Sequence, residues 1–388
     1  MKLATVLLLV GCSSPMLVAS NPVYQPPVVQ APATQSVSDP HALPYRLSDA
    51  DYWALETKLS EPGGYFQIED NFTSNEMEVG QLYSMLQTAG IHGGVYLGVG
   101  PEQNFTYIAA IKPAMAFVVD IRRQAVMQHL MFKAIFEMSN DRADFISMLF
   151  AKPRPVAINA LTAIDKIWSS YRVTPTDTAM AAQNYQRIVN QLTKTHGFTF
   201  TADESAKLKA VYDAFIMYGP AISTRGGQNR RGGRGGAGGD FADLTGYSLD
   251  DTGRPMSFLS TEENYRTVKS LQDRNLIVPV SGDFGGPMAI RAIGSYLTDH
   301  HGTVSAFYLS NVEQYLFMDG KQSAFYANVA TLPIDSASVF IRPYSMRRGF
   351  GGYSGGNPTK SLCRMSAFLR AVDSGEVKSN NDALACAQ

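Results

Sequence analysis

The sequence predicts an α/β fold: a mostly parallel sheet with helices on both faces, interrupted by a mainly helical insertion. Three observations lead there. Val95-Tyr96-Leu97-Gly98-Val99-Gly100 is an apolar run ending in glycines, as a strand buried on both faces and its tight turn would be. Met115-Ala116-Phe117-Val118-Val119-Asp120 is a second such run, a helix length further on and closed by an acid. The alternation returns after Asn275 with Leu276-Ile277-Val278-Pro279-Val280 and Val304-Ser305-Ala306-Phe307-Tyr308-Leu309. Strand, helix, strand in this order calls for right-handed crossovers and a parallel, Rossmann-like sheet.

The elements follow in chain order. Residues 1–19 read as an export signal: Lys2, a short apolar run from Leu3 to Val10, then Gly11-Cys12-Ser13-Ser14. The Leu9-Val10-Gly11-Cys12 ending resembles a bacterial lipobox, which makes Cys12 the expected lipidation site and the cell envelope the expected location. An ordinary signal peptide cut near Ala19 is the alternative. Residues 20–45, rich in Pro, Val, Gln and Ser, form no core and read as a tether. Order is expected from Leu47, where Ser48 or Asp49 caps a helix through Leu55 and Leu59.

Residues 46–139 and 266–345 are expected to form the two parts of the sheet domain. The first holds strands at 95–100 and 115–120, a helix from Asn104 to Ile111, and an amphipathic helix carrying Met127, Leu130, Met131, Ala134, Ile135 and Met138 on one stripe. The second adds strands ending at Ser281-Gly282-Asp283, at Ser310-Asn311 and through Ser338 to Ile341, about five parallel strands in all. Between them, residues 140–265 read as a helical insertion with a flexible Arg/Gly-rich loop from Arg225 to Gly239. Residues 346–388 are a glycine-rich segment and tail, in which Cys363 and Cys386 can pair in an oxidising compartment.

Composition narrows function. With 33 basic and 34 acidic residues there is no charge excess to hold a nucleic acid, and no Cys/His cluster suggests a metal. The pattern Gly352-Tyr353-Ser354-Gly355-Gly356 matches a hydrolase nucleophile motif but lacks the helix that should follow it. The glycines after the first strand carry more meaning. Gly98 and Gly100 allow a tight turn and close approach of a ligand to the backbone, and Asp120, twenty residues beyond Gly100, stands where an acid meets ribose hydroxyls. The third glycine of the dinucleotide fingerprint is replaced by Gln103, which disfavours NAD and FAD.

The chain resembles an uncharacterised bacterial family with a class I methyltransferase-like fold. The resemblance rests on Asp70-Asn71-Phe72-Thr73-Ser74-Asn75-Glu76, Gly98-Val99-Gly100-Pro101-Glu102-Gln103-Asn104-Phe105-Thr106-Tyr107, Asp120-Ile121-Arg122-Arg123-Gln124, Gly282-Asp283-Phe284 and Phe307-Tyr308-Leu309-Ser310-Asn311-Val312-Glu313. It implies S-adenosylmethionine as cofactor, held by Gly98, Gly100, Asn104, Asp120 and Asp283, with Asn311 at the transfer site and Asn75 and Glu76 at the pocket rim. Two departures stand out: Tyr96 occupies a position often acidic in methyltransferases, and Ser310-Asn311-Val312-Glu313 replaces their Asn/Asp-Pro-Pro-Tyr/Phe motif. The competing expectation is an inactive envelope lipoprotein that binds another nucleotide, a sugar or a protein.

Overall fold

Val95-Tyr96-Leu97-Gly98 has no charged side chain and is buried along its whole length, which is what a central parallel strand requires. The computed structural model describes Met1 and residues 41–67, 71–224, 239–342, 347–349, 352–354 and 361–386. Cys12, residues 20–40 of the tether, Asp70 and residues 225–238 of the Arg/Gly-rich loop lie outside them, while Leu43, in the expected tether, packs against the core. Helices α1 (Asp49–Leu59) and α2 (Val79–Thr88) precede β1 (Val95–Gly98), followed by α3 (Gln103–Ile111), β2 (Met115–Asp120) and α4 (Arg123–Met138). Then come α5 (Arg142–Phe150), α6 (Ile164–Val173), α7 (Thr178–Asn190), α8 (Ala202–Tyr218), α9 (Phe241–Gly246) and α10 (Glu262–Asp273). The sheet resumes with β3 (Ile277–Ser281), α11 (Ala289–Asp299), β4 (Val304–Tyr308), α12 (Val312–Met318), α13 (Gln322–Val329) and β5 (Ile334–Ile341). A hairpin of β6 (Arg347–Gly349) and β7 (Gly352–Ser354) leads to β8 (Leu362–Arg364), α14 (Met365–Asp373) and α15 (Asn380–Ala385).

The main sheet has the order β3-β2-β1-β4-β5-β8. Its first five strands are parallel, and β8 runs antiparallel to β5. The chain winds outward from β1 in one direction to β3 and in the other through β4 to β5, so the order reverses beside β1. This is the doubly wound α/β arrangement the alternation predicts.

Two boundaries differ from expectation. The predicted end of the insertion at 265 falls inside α10, because Tyr265 and Val268 continue one buried face into the approach to β3. The segment 346–388 is more than a tail. Cys363 and Phe368 are fully buried, β8 extends the sheet, and a disulfide joins Cys363 to Cys386 across 23 residues. A link closing a loop of that size contributes about 3 kcal/mol by restricting the unfolded chain. Ser354 ends a hairpin strand instead of standing at a strand-to-helix turn, so the Gly-x-Ser-x-Gly pattern builds no nucleophile elbow.

The insertion packs through aromatic rings. Phe136 of α4 meets Phe145 of α5 at 4.5 Å and Tyr265 of α10 at 5.3 Å, and Phe105 of α3 meets Phe132 and Phe136 at 5.4 and 5.2 Å. Such edge and offset contacts add to burial by roughly 0.5–1.5 kcal/mol per pair. Arg142 ties the same region down by donating to the carbonyls of Leu259 and Ser260 at 2.7 and 2.6 Å.

A charge network fixes α1 against α4. His196 pairs through Nδ1 with Asp49 at 2.7 Å and through Nε2 with Glu137 at 2.6 Å, and Glu137 also accepts from Lys133 at 2.6 Å. Burial pulls the His196 pKa down, but bonding to Glu137 and Asp49 outweighs it and leaves the imidazole above its ordinary value. Burial pushes Glu137 up, and His196 and Lys133 bring it below the ordinary carboxylate value. The stabilisation from His196 is therefore complete below its unfolded pKa of about 6.5 and is lost as pH rises through the folded value. That from Glu137 is lost on acidification. Urea unfolding of the wild type should show stability falling as pH rises above about 6.5, and His196→Gln should flatten that alkaline limb.

Candidate functional site

The C-terminal ends of β1, β2, β3 and β4 open into one cavity of about 390 Å³. Its wall includes Gly100 after β1, Asp120 to Arg122 at the end of β2, Gly282 to Phe284 after β3, and Ser310 to Val312 after β4. Parallel sheets leave such a crevice where the strand order reverses, since the connections on either side of it leave in opposite directions. A segment before α2 closes the cavity with Asn71, Ser74 and Asn75, and Tyr65 and Phe66 add an aromatic edge.

The glycine turn is built around Asn104. Its side chain is fully buried, and its Nδ2 lies within hydrogen-bond reach of the carbonyls of Val99, Gly100 and Pro101 at 3.0, 3.1 and 2.7 Å. Its Oδ1 accepts from the Tyr96 hydroxyl at 2.8 Å, and His129 Nε2 meets the Gly100 carbonyl at 2.9 Å. Gly98 serves this clamp: a Cβ there would stand 2.0 Å from Asn104 Oδ1 and 2.6 Å from the Tyr96 hydroxyl. Gly100 has the positive φ of 78° that a tight turn demands, and a Cβ there would meet only Gln103 Nε2 at 3.6 Å.

The expected site residues thus divide. Gly100, Asp120, Asp283, Asn75 and Asn311 line the cavity. Gly98 and Asn104, expected to touch a cofactor, stand behind the turn and hold its shape, because the clamp absorbs their space and hydrogen-bonding capacity. Glu76, expected at the rim, is buried beneath it.

Two of the three acids lining the cavity, Asp120 and Asp283, already have cationic partners, and Asp319 is the third. Asp120 Oδ1 accepts from the Arg122 backbone at 2.9 Å and from its Nε at 3.0 Å, and Oδ2 accepts from Nη2 at 2.8 Å. Each carboxylate oxygen accepts two hydrogen bonds, so Oδ2 keeps room for one more donor. Asp283 Oδ2 accepts from Lys321 at 2.7 Å while Oδ1 takes the Gly285 N–H at 2.9 Å. Asn311 is exposed at the start of α12 and makes no side-chain cap there.

A buried acidic layer underlies the cavity, and sequence reasoning missed most of it. Glu102, 1% exposed, accepts from the Ser74 N–H at 3.1 Å. Burial pushes it up to about 8, with its own N–H and that of Ser74 working against the shift. Glu76 accepts from Ser310 Oγ at 2.8 Å, and burial pushes it up to about 7. Gln103 Nε2 donates to the Tyr308 hydroxyl at 2.7 Å, and the Tyr107 and Tyr308 rings lie 4.9 Å apart. The available signal was Pro101-Glu102-Gln103, an acid where a dinucleotide loop needs small residues. The segment holding Glu76 is anchored by Gln128, which donates to the Phe72 carbonyl at 2.6 Å.

The profile of the family described as "Domain of unknown function (DUF7790)" matches residues 71–210 and 245–367, together more than half of the chain. These segments contain the glycine turn, the cavity residues from Asn71 onward and the buried acids. Comparison with curated proteins finds no match. The clamp has a direct test. Asn104→Ala should strip partners from several buried polar groups and destabilise the protein by about 2–4 kcal/mol in urea unfolding. Gly98→Ala should cost about 1–3 kcal/mol by overpacking the same spot.

Proposed function

The chain belongs to the DUF7790 family, and from the geometry of its cavity we propose that it binds S-adenosylmethionine in a methyltransferase-like pocket. The observation that carries this reading is the cavity's position, across the ends of β1 to β4 where the sheet's strand order reverses. Its residues fit a nucleoside that bears no phosphate. Gly100 leaves open space at the turn, and Asn71 Oδ1 and Gln103 Oε1 are buried acceptors without a hydrogen-bond partner among the described residues. Both suit N–H or O–H donors of a ligand. Phe66, Phe284 and Tyr315 supply faces for a purine, and Asp120 Oδ2 has room for one ribose hydroxyl.

Phosphate is disfavoured by Glu102. Helix N-termini bind phosphate because their N–H groups are unpaired. Here a buried acid, Glu102, stands at the N-cap of α3, where it makes no side-chain cap and accepts the Ser74 N–H instead, so an acidic residue stands where a phosphate would dock. This agrees with Gln103 in the place of the third fingerprint glycine. S-adenosylmethionine, when bound, supplies an activated methyl group. The chain's contribution is to position and desolvate an acceptor beside Asn311.

One observation favours a second reading, an inactive cell-envelope lipoprotein that binds another nucleotide, a sugar or a protein. Asp120 and Asp283 are each satisfied by a cation of the same chain, so neither requires a ligand for neutralisation.

Titration calorimetry of the full chain with S-adenosylmethionine and S-adenosylhomocysteine separates the two. The first reading expects saturable binding of both, weakened at least about tenfold, or 1.4 kcal/mol, by Asp120→Asn. No heat at millimolar ligand removes it. The lipid anchor is tested apart from the ligand. Radiolabelled palmitate should enter the wild type in a bacterial host and not Cys12→Ala, and equal labelling of both rejects the anchor.

A further inference from the structure

Ser310 closes β4 with a φ of +48°, a left-handed backbone that a residue bearing a side chain adopts only when its surroundings hold it there. Held so, Ser310 lines the cavity, and its Oγ donates to Glu76 Oε1 at 2.8 Å. Glu76 is 9% exposed, and its second oxygen, Oε2, has no hydrogen-bond partner among the described residues. A buried unpaired acceptor costs about 1–3 kcal/mol, so Oε2 is a place where a proton or a donor is favoured. The titratable groups facing Glu76 are the carboxyls of Glu78 and Glu102 and the hydroxyls of Tyr96, Tyr107 and Tyr308. Burial, aided by Glu78, pushes Glu76 up to about 7, with the Tyr308 and Ser310 hydroxyls opposing the shift. The group therefore gains and loses a proton near neutrality.

We propose that Ser310 and Glu76 form a proton-accepting pair on the cavity wall, serving a ligand that presents a hydroxyl or ammonium group to Ser310. The ligand's O–H or N–H bond breaks and leaves its electron pair on the ligand. That proton joins Ser310 Oγ as the serine's own proton passes to Glu76. The ligand becomes a nucleophile, and Glu76 becomes a neutral acid. The pair stands apart from the cofactor reading above, while its use toward a methyl acceptor rests on that reading.

The same polarisation makes Ser310 itself nucleophilic, which supplies a test that needs no acceptor. The full chain is treated with a small fluorophosphonate from about pH 5 to about pH 9. Ser310 Oγ bonds to phosphorus, fluoride leaves with the electrons of the P–F bond, and the hydroxyl proton goes to Glu76. Peptide mass spectrometry should find the label on Ser310, at a rate rising through about pH 7. Glu76→Gln, whose amide oxygen still accepts from Ser310 but takes no proton, should slow labelling at least tenfold and flatten the profile, and Ser310→Ala should remove the label. An unlabelled Ser310, a flat wild-type profile, or equal profiles in the wild type and a folded Glu76→Gln each overturn the pair. The wild-type profile decides without any variant if Glu76→Gln fails to fold. Calorimetry in parallel keeps the two readings apart. Labelling as expected without S-adenosylmethionine binding removes the cofactor and keeps the pair, whereas binding with an inert Ser310 does the reverse.

Discussion

The site depends on one buried amide. Asn104 gathers the carbonyls of Val99, Gly100 and Pro101 on one side and the Tyr96 hydroxyl on the other, so the turn after β1 has a single shape. Backbone carbonyls in a buried turn have no strand partner and must be paired some other way. Here the first turn of α3 does that work, and the same contact locks α3 onto β1. Gly98 is small because this amide needs its space, and Gly100 is a glycine because the turn needs its φ. The two glycines of one motif thus answer to different physical demands, and only the second faces the cavity.

Charge is arranged around the cavity in two layers. At its surface Asp120 is matched by Arg122 and Asp283 by Lys321, with Asp319 a third acid on the wall. Beneath it, Glu76 lies among tyrosines with Glu102 close by, and burial holds both acids toward the protonated form. A neutral carboxyl is both donor and acceptor, whereas an ionised one accepts only. The lower layer therefore changes its hydrogen bonding within the neutral pH range, and Ser310 connects it to the cavity.

The fold was readable because periodicity reports burial on both faces. β1 and β2 were legible as unbroken apolar runs, and α4 as a stripe, since such patterns arise only when one surface faces a core. The short edge strand β8 was not legible. Three residues carry no period, and its place is set by pairing with β5 and by the link from Cys363 to Cys386. The boundary at 265 was misplaced for a related reason, as α10 belongs by its buried face to the sheet layers and by position to the end of the insertion.

The sequence by itself determined the parallel α/β class, the site of the glycine turn, and the four strand ends that meet in the cavity. Each follows from local pattern, from where apolar runs stop and what residue stops them. Only the tertiary structure decided which of those residues face the cavity. Asn104 turned inward because the carbonyls around it lacked donors. Asp120 turned to Arg122 because a buried acid needs a cation within reach. Glu76, far from Ser310 in sequence, came to lie against its hydroxyl, a meeting of two chain segments that no spacing within either one encodes.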